Sequence, residues 1–420
     1  MSKLRANFIV PSWNYWKEPL RAQPLTQLYL ATILEEKGVD VEFTDYREQP
    51  TWAEPFLLKP ADIYLYTVAS PDFKELDATR SRIKKVYPES KHIAGGPHAT
   101  IAPQDFEDFD SVVVGKGEES LKKILKDFPN LHTLYKTPIK KEEYPFPKRH
   151  FLSKDKIVND NLFKTDNIRS TTAQFSFGCP FSCAFCANYD KGNIRRNSLQ
   201  KIGSEIEYLK SEYGIEGLSL QDEICIPKFP NQLFGILKAQ NIKWRGQVRA
   251  DINEETIRLA KKSGLVELSF GLESVDEKVL KIVDKKIKVK DVENVIEYCK
   301  DNNVKTRVYL LNGLPGEGED IVSKTISFIK KNNPDLILLS SFQPYPGSPI
   351  ERAPEKYGIK WISTEYDKFN HIVCRFNDSK DNLENAVPYE FEKGKGLSRK
   401  QIIDNMLSLQ YYLRERGMNK

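Results

Sequence analysis

Two long stretches of this 420-residue chain alternate short apolar runs with helix-patterned segments, and a stretch with neither pattern parts them. Short apolar strands set between helices are covered on both faces, so each stretch predicts a parallel sheet in an α/β fold. In the first, ANFIV, VDVEFTD, ADIYLYTVA, KHIAGG and DSVVV read as strands. LTQLYLATILEEKG, FKELDATRSRIKKVY and GEESLKKIL read as the helices. This predicts a doubly wound, Rossmann-like α/β domain of about five strands over residues 1–130. The second stretch holds six strand–helix units, whose strands begin with AQFSF, GLSLQDE and KWRGQVRAD and continue through LVELSFGLES, VKTRVYLLNG and DLILLSSFQPY. Six units are two short of a closed eight-fold barrel, so a partial, open (β/α)6 barrel of TIM type is predicted over residues 167–350. Residues 131–166 are rich in proline and charge and read as a linker. Residues 351–420 read as a small extension capping the barrel mouth, with a helix in RKQIIDNMLSLQYYLRERG.

Hydrophobic residues make up 40% of the chain and charged residues 29%, the balance of a soluble globular protein. The net charge of +5 is spread along the chain and argues against nucleic acid or a membrane surface as partner. The first residues, MSKLRANFIVPSWNYWKEP, lack the apolar core and cleavage site of a secretory signal. No run approaches the ~20 apolar residues of a membrane span, so a cytoplasmic protein is expected.

Three of the six cysteines, Cys179, Cys183 and Cys186, crowd into GCPFSCAFC directly after a predicted barrel strand. In a reducing compartment such clustering points to metal or catalysis rather than disulfides. Thiolates suit zinc or an iron–sulfur cluster. A structural zinc site needs a fourth ligand, and the closest histidines, His150 and His371, are distant in sequence. Three thiolates can instead hold three corners of a 4Fe–4S cubane and leave one iron open for a bound molecule. Three adjoining core cysteines, or zinc with a remote fourth ligand, are the competing readings. Cys225, Cys299 and Cys374 stand apart and read as small buried hydrophobes.

GCPFSCAFC resembles the CxxxCxφC motif of the radical SAM superfamily, with Phe185 as the aromatic residue. The resemblance implies that the open iron is chelated by S-adenosylmethionine, and that one electron from the cluster yields a 5′-deoxyadenosyl radical, which abstracts hydrogen. It extends along the barrel. Asp222 and Glu223 match an acidic segment on the second strand that holds the methionine amino group. Arg249 and Asp251 end the third strand. Glu273 and Ser274 lie in a GLES segment and are candidates for the ribose or the carboxylate. Gly313 and Gly316, in LLNGLPGE, would let the backbone approach the adenine.

The first domain resembles the cobalamin-binding subgroup of the same superfamily through HIAGGPHAT, residues 92–100, and VVVGKGEESL, residues 112–121. Ligands of open α/β sheets sit at the carboxyl ends of the strands, and amides at a helix start can hold phosphate. The resemblance therefore implies that the nucleotide tail of cobalamin lies among Ser70, Gly95, Gly96, Pro97, His98, Gly115, Gly117 and Glu118. No Asp-x-His-x-x-Gly run is present, so a bound cobalamin would lack a histidine below its cobalt. His98 resembles a packing or tail-contacting residue. Trp13, Tyr15 and Trp16 could stack on a corrin or pack internally.

The resulting expectation is a cobalamin-dependent radical SAM methyltransferase acting on an unactivated carbon. Its substrate would be a small molecule or biosynthetic intermediate, and its electron donor a flavodoxin or ferredoxin. A cobalamin-associated cyclase or ring-rearranging enzyme without net methylation is the alternative, and a cobalamin- or metal-sensing module comes from another class. The sequence singles out no catalytic acid or base; Tyr309, Glu317, Tyr345 and His371 are candidates by position alone.

Overall fold

Alternate residues of the amino-terminal strands feed two separate apolar clusters, the arrangement of a sheet buried on both faces. In the computed structural model described here, covering residues 3–13, 18–49, 57–138, 145–160, 162–163, 167–188, 191–192, 194–369 and 387–418, those strands are β1 (Arg5–Val10), β2 (Asp40–Asp45), β3 (Ile63–Thr67), β4 (Lys91–Gly95), β5 (Ser111–Val113) and β6 (Leu134–Tyr135). Tyr15, Trp16, His371 and Cys374 lie outside the described residues. The strands are parallel, in the order β2-β1-β3-β4-β5-β6. Phe8, Ile63, Leu65, Ile93 and Val113 pack on one face with Ala31 and Leu34 of the helix Leu25–Glu36 and Leu121 and Ile124 of Glu118–Asp127. Ile9, Tyr64, Tyr66, Ala94 and Val112 pack on the other with Leu76 and Ile83 of the helix Phe73–Val86. Each buried aliphatic side chain stabilises the fold by about 1.5–3 kcal/mol. The strand order reverses direction between β1 and β3, which opens a crevice at their carboxyl ends. One strand more than expected is present, because β6 is drawn from the segment read as a linker.

The second sheet runs β7-β10-β11-β12-β13-β14, all parallel: β7 (Ser170–Ala173), β10 (Gly217–Leu220), β11 (Lys243–Val248), β12 (Leu265–Glu273), β13 (Lys305–Asn312) and β14 (Leu336–Ser341). Consecutive strands are neighbours, each reached through a helix, which is the partial (β/α)6 barrel expected. The helices begin where the sequence marks them. Ser198 accepts from the Lys201 amide and Asn253 from the Thr256 amide, satisfying backbone donors that a helix start leaves open. AQFSF is not one strand. The first barrel strand ends at Ala173, while β8 (Ser176–Phe177) turns away and pairs antiparallel with β9 (Arg195–Arg196). The cause is Asp222, whose buried carboxylate accepts from the Phe175 amide and the Ser176 hydroxyl.

Beyond the barrel, β15 (Ile359–Ile362) and β16 (Tyr389–Phe391) form an antiparallel pair, followed by the helix Arg399–Glu415 with a Ser398/Gln401 capping box. Val387, Tyr389, Phe391, Leu397 and Ile402 pack in one cluster with Leu314 and Phe342, which follow β13 and β14, and with Ala184 of the cysteine loop. This segment therefore covers strand ends of the barrel. Internal contacts divide the chain into two units, Met1–Asn159 and Asp160–Lys420. Among the described residues no helix is long and apolar enough to cross a membrane.

Candidate functional site

The three cysteines stand on the loop that leaves the carboxyl end of the first barrel strand, where barrel active sites collect. Their loop is braced from two sides. The Lys191 ammonium donates to the carbonyls of Cys186 (2.6 Å) and Cys183 (3.4 Å), and the Gly192 amide donates to the Cys179 carbonyl (2.9 Å). On the other side the Ala184 amide donates to the Val283 carbonyl (2.8 Å) and the Ser182 hydroxyl to Asp284 (3.2 Å). All three cysteines are half-buried and unbridged. Burial pushes the Cys179 and Cys183 thiols above the ordinary range, so a metal taken there displaces their protons. Among the described residues no three His, Cys, Asp or Glu side chains gather around a single ion. Three thiolates on one braced loop are a donor set that fits a cubane, which meets each thiolate at a different iron.

Charged side chains converge on the same loop. Lys285 pairs with Glu273 at 2.7 Å, both side chains about nine-tenths buried, and its ammonium lies 5.6 Å from the centre of the Phe185 ring. The Arg249 guanidinium stacks 4.0 Å over Phe181, donates to the Lys285 carbonyl (2.7 Å) and pairs with Asp251 (3.0 Å). Lys285, Arg249 and Glu273 all act electrostatically on Cys183. Glu273 has φ = 68°, a left-handed conformation uncommon for a residue with a Cβ. Its carboxylate occupies space a Cβ on Gly271 would need, 2.0 Å away. Backbone strain of this kind costs about 1–3 kcal/mol and gathers at functional sites.

The expected residues separate into two groups. Phe185, Arg249 and Glu273 come together around Cys183, and Glu223 reaches the loop through Asn188 (3.5 Å) and acts on Cys179. Ser274, 2% exposed, lines a small cavity with Glu273, Asn312 and Glu317. Asp222 is withdrawn. It is fully buried, spends both oxygens on Phe175 and Ser176, and desolvation raises its pKa to about 7. Its task is to bend the chain between β7 and the cysteines, so Glu223 alone of the acidic pair faces the loop. Gly313 (φ = 92°) has both backbone groups taken. Its amide donates to Glu317 (2.7 Å) and its carbonyl accepts from the Tyr389 hydroxyl (2.7 Å). Of the positional candidates, Glu317 is this clamp, with a pKa pushed by burial to about 8. The Tyr345 hydroxyl donates to the Phe369 carbonyl, and Tyr309 lies in mid-strand in β13. Cys225 and Cys299 are buried, as small hydrophobes should be.

In the amino-terminal unit the expected residues surround the carboxyl ends of β3, β4 and β5. Gly96 (φ = 96°) crosses so close to β3 that a Cβ would stand 2.8 Å from the Val68 nitrogen. Gly115 (φ = 87°) has open space where a side chain would be, which fits the approach of a bulky ligand. Gly95 ends β4 and Pro97 starts the short helix Pro97–Ile101. Other expected residues are engaged within the fold. His98, read as a packing or tail-contacting residue, is wholly buried against Phe73 and Phe106 and lies 3.0 Å from the Ser70 hydroxyl. The Gly115 amide already donates to Thr100 (3.0 Å). Gly117 caps a helix whose first turn carries Glu118 and Glu119, so a phosphate there would meet two carboxylates. Glu118 itself is buried, 3.4 Å from the Tyr29 hydroxyl. Trp13 lies under the Arg47 guanidinium at 5.2 Å.

Sequence reasoning missed Lys191, Lys285, Asn188, Thr100 and Tyr389. Asn188 and Lys191 stand near the cysteines in sequence, and Thr100 closes the HIAGGPHAT run; Lys285 and Tyr389 carry no motif and reach their partners through the fold.

Comparison with known proteins places two families on these two units. The family model of the B12 binding domain matches residues 19–125, and that of the radical SAM superfamily matches residues 174–329. The chain is 24% identical over 412 residues to the anaerobic magnesium-protoporphyrin IX monomethyl ester cyclase of Rubrivivax gelatinosus, covering 88% of this chain and 73% of that protein. It is 26% identical over 360 residues to an uncharacterized methyltransferase of Pyrococcus horikoshii, covering 77% of each. Its fold matches the radical S-adenosylmethionine methyltransferase TsrM of Kitasatospora setae, solved with cobalamin and a [4Fe-4S] cluster bound. That match has a TM-score of 0.66 at 17% identity, over 85% of this chain and 79% of the other.

Proposed function

Since the chain belongs to the radical SAM superfamily and carries a B12-binding domain ahead of the barrel, we propose that it is a cobalamin-dependent radical SAM methyltransferase. The observation that carries the reading is the union, in one chain, of a three-thiol loop at the mouth of a (β/α)6 barrel and a doubly wound sheet with an open glycine turn at Gly115. When bound, the cluster with S-adenosylmethionine supplies a hydrogen-abstracting radical, and cobalamin supplies the methyl group. The chain's own residues bind and orient. Cys179, Cys183 and Cys186 would hold the cluster. Glu223 and the Lys285–Glu273 pair would orient the charged amino acid moiety of S-adenosylmethionine, because fixed, half-desolvated charges select an ammonium–carboxylate group strongly. Arg249 holds the 285–286 backbone against Phe181 and so keeps Lys285 in place. Ser70, Gly96 and Gly115 would border the corrin. The cluster needs a one-electron donor, for which a flavodoxin or ferredoxin in the cytoplasm is the natural class.

Ring closure without net methylation is the second reading, favoured by the cyclase relative, which aligns over most of the chain. Anaerobic reconstitution with iron, sulfide and hydroxocobalamin, followed by desalting and metal analysis, tests the first reading. About four irons and one cobalt per chain are expected, with iron lost on changing the three cysteines to Ala. Labelled methyl from S-adenosylmethionine should then appear in product. Zinc in place of iron would overturn the assignment, and cobalt-free protein would overturn methyl transfer from cobalamin.

A further inference from the structure

Two side chains that line one cavity of the barrel unit each bury an oxygen that has no partner among the described residues. Asn312, the last residue of β13, donates its amide nitrogen to the Ile402 carbonyl (2.9 Å), which fixes the orientation of the amide and leaves Oδ1 unmatched. Glu317 accepts the Gly313 amide on Oε2 (2.7 Å) and leaves Oε1 unmatched. Ser274, just past β12, lines the same cavity. Its hydroxyl accepts from the Asp276 amide (3.3 Å) and keeps its own hydrogen to give. Ser274, Asn312 and Glu317 are 2%, 2% and 5% exposed. Leu310, Leu339 and Leu409 add apolar walls, and the cavity measures about 10 Å³, the room of a single water molecule. Two bare acceptors on one buried space call for a donor, because a buried polar atom without a hydrogen bond is costly.

We infer that this cavity is a binding site for one internal water, which donates to Asn312 Oδ1 and Glu317 Oε1 and accepts from the Ser274 hydroxyl. Three hydrogen bonds are what a buried water usually makes. Burial pushes the Glu317 carboxyl up to about 8, so near neutral pH it is mostly uncharged. When its proton sits on Oε1, the water accepts from Glu317 and still donates to Asn312. Water serves both protonation states, whereas an uncharged carboxyl gives a sodium or potassium ion little reason to enter. The water ties the end of β12, which carries the Lys285–Glu273 pair, to the turn at Gly313 that Glu317 clamps. The inference stands without either proposed cofactor.

Crystals of the unmodified full chain, grown anaerobically and diffracting well enough to show ordered water, give the first test. One density peak is expected within roughly 2.5–3.2 Å of Glu317 Oε1, Asn312 Oδ1 and Ser274 Oγ. A direct Glu317–Asn312 contact with no peak between them would overturn the inference. So would a peak that thallium replaces in a soaked crystal, seen by its anomalous scattering, which would make the site one for a monovalent cation. Denaturant titration gives the second test. Ser274→Ala should raise the unfolding constant about tenfold. In an Asn312→Ala background, where the water has already lost a partner, the same change should raise it about threefold or less. Ser274 and Asn312 share no direct hydrogen bond, so the difference measures the bridge between them. Equal effects of Ser274→Ala in the two backgrounds would overturn it.

Discussion

The strand ends of the two sheets present different chemistry. In the amino-terminal unit the ends of β3, β4 and β5 carry glycines, a serine and the half-buried Lys116, while His98 and Glu118 are buried. In the barrel unit, the ends of β11 and β12 and the cysteine loop carry Arg249, Glu273, Lys191 and Lys285, all engaged with one another or with the loop backbone. The first arrangement suits a large ligand held mainly by shape. The second suits a small zwitterion and an anionic cluster held by charge. Both sheets place their candidate sites at strand carboxyl ends, where topology sets the location and side-chain chemistry the ligand.

That contrast can be broken most severely at Gly96. Gly96→Val forces a β-branched residue to φ = 96° and drives a Cβ to 2.8 Å from Val68. A loss of more than about 3 kcal/mol is expected, seen as lower unfolding temperature and lost cobalt uptake with iron retained. Equal loss of iron would show that the two sites are not separable. Lys285→Met tests the charged side. It strands the buried Glu273 carboxylate, at a cost of about 3 kcal/mol, and should weaken S-adenosylmethionine binding at least tenfold while leaving cobalt binding unchanged, measured by calorimetric titration.

Glu317→Gln sharpens the comparison through pH. The Glu317 pKa stands near 8 in the fold against an ordinary 4.5. Between those values the folded state holds a proton that the unfolded chain has released, so stability falls as pH rises, by up to about 1.4 kcal/mol per unit. The Gln variant should lose that part of the slope in denaturant titrations from pH 5 to 8; an unchanged slope would locate the dependence elsewhere. The smallest effect is expected at Tyr389. Removing its hydroxyl in Tyr389→Phe frees the Gly313 carbonyl, costs about 1 kcal/mol and should raise the KM for S-adenosylmethionine a few-fold with little change in kcat. A fall in kcat alone would mean that the carboxyl-terminal segment acts on substrate and not on the Gly313 turn.

Much of this was legible in the chain, for identifiable reasons. Burial on both faces writes apolar runs such as IYLYT, and helix starts write caps such as Ser198 and Asn253, so the strand–helix order and both parallel sheets could be read. The cysteines were legible because their ligand spacing lies within nine consecutive residues. Asp222 misled because a carboxylate at a strand end reads alike whether it faces a ligand or a neighbouring backbone.

What sequence alone determined, then, was every element whose cause is local: two α/β units, a three-thiol loop, and the glycine turns of residues 92–100 and 112–121. The tertiary structure decided the pairings between residues far apart in the chain. Lys285 reached Glu273 and Phe185 only when the 285–286 loop closed on the cysteine loop, and Tyr389 reached Gly313 across 76 positions. His98 reached Ser70 across 28 positions. A hydrogen bond or ion pair depends on position to within a few tenths of an ångström, and distance along the chain carries no such information until the sheets have formed.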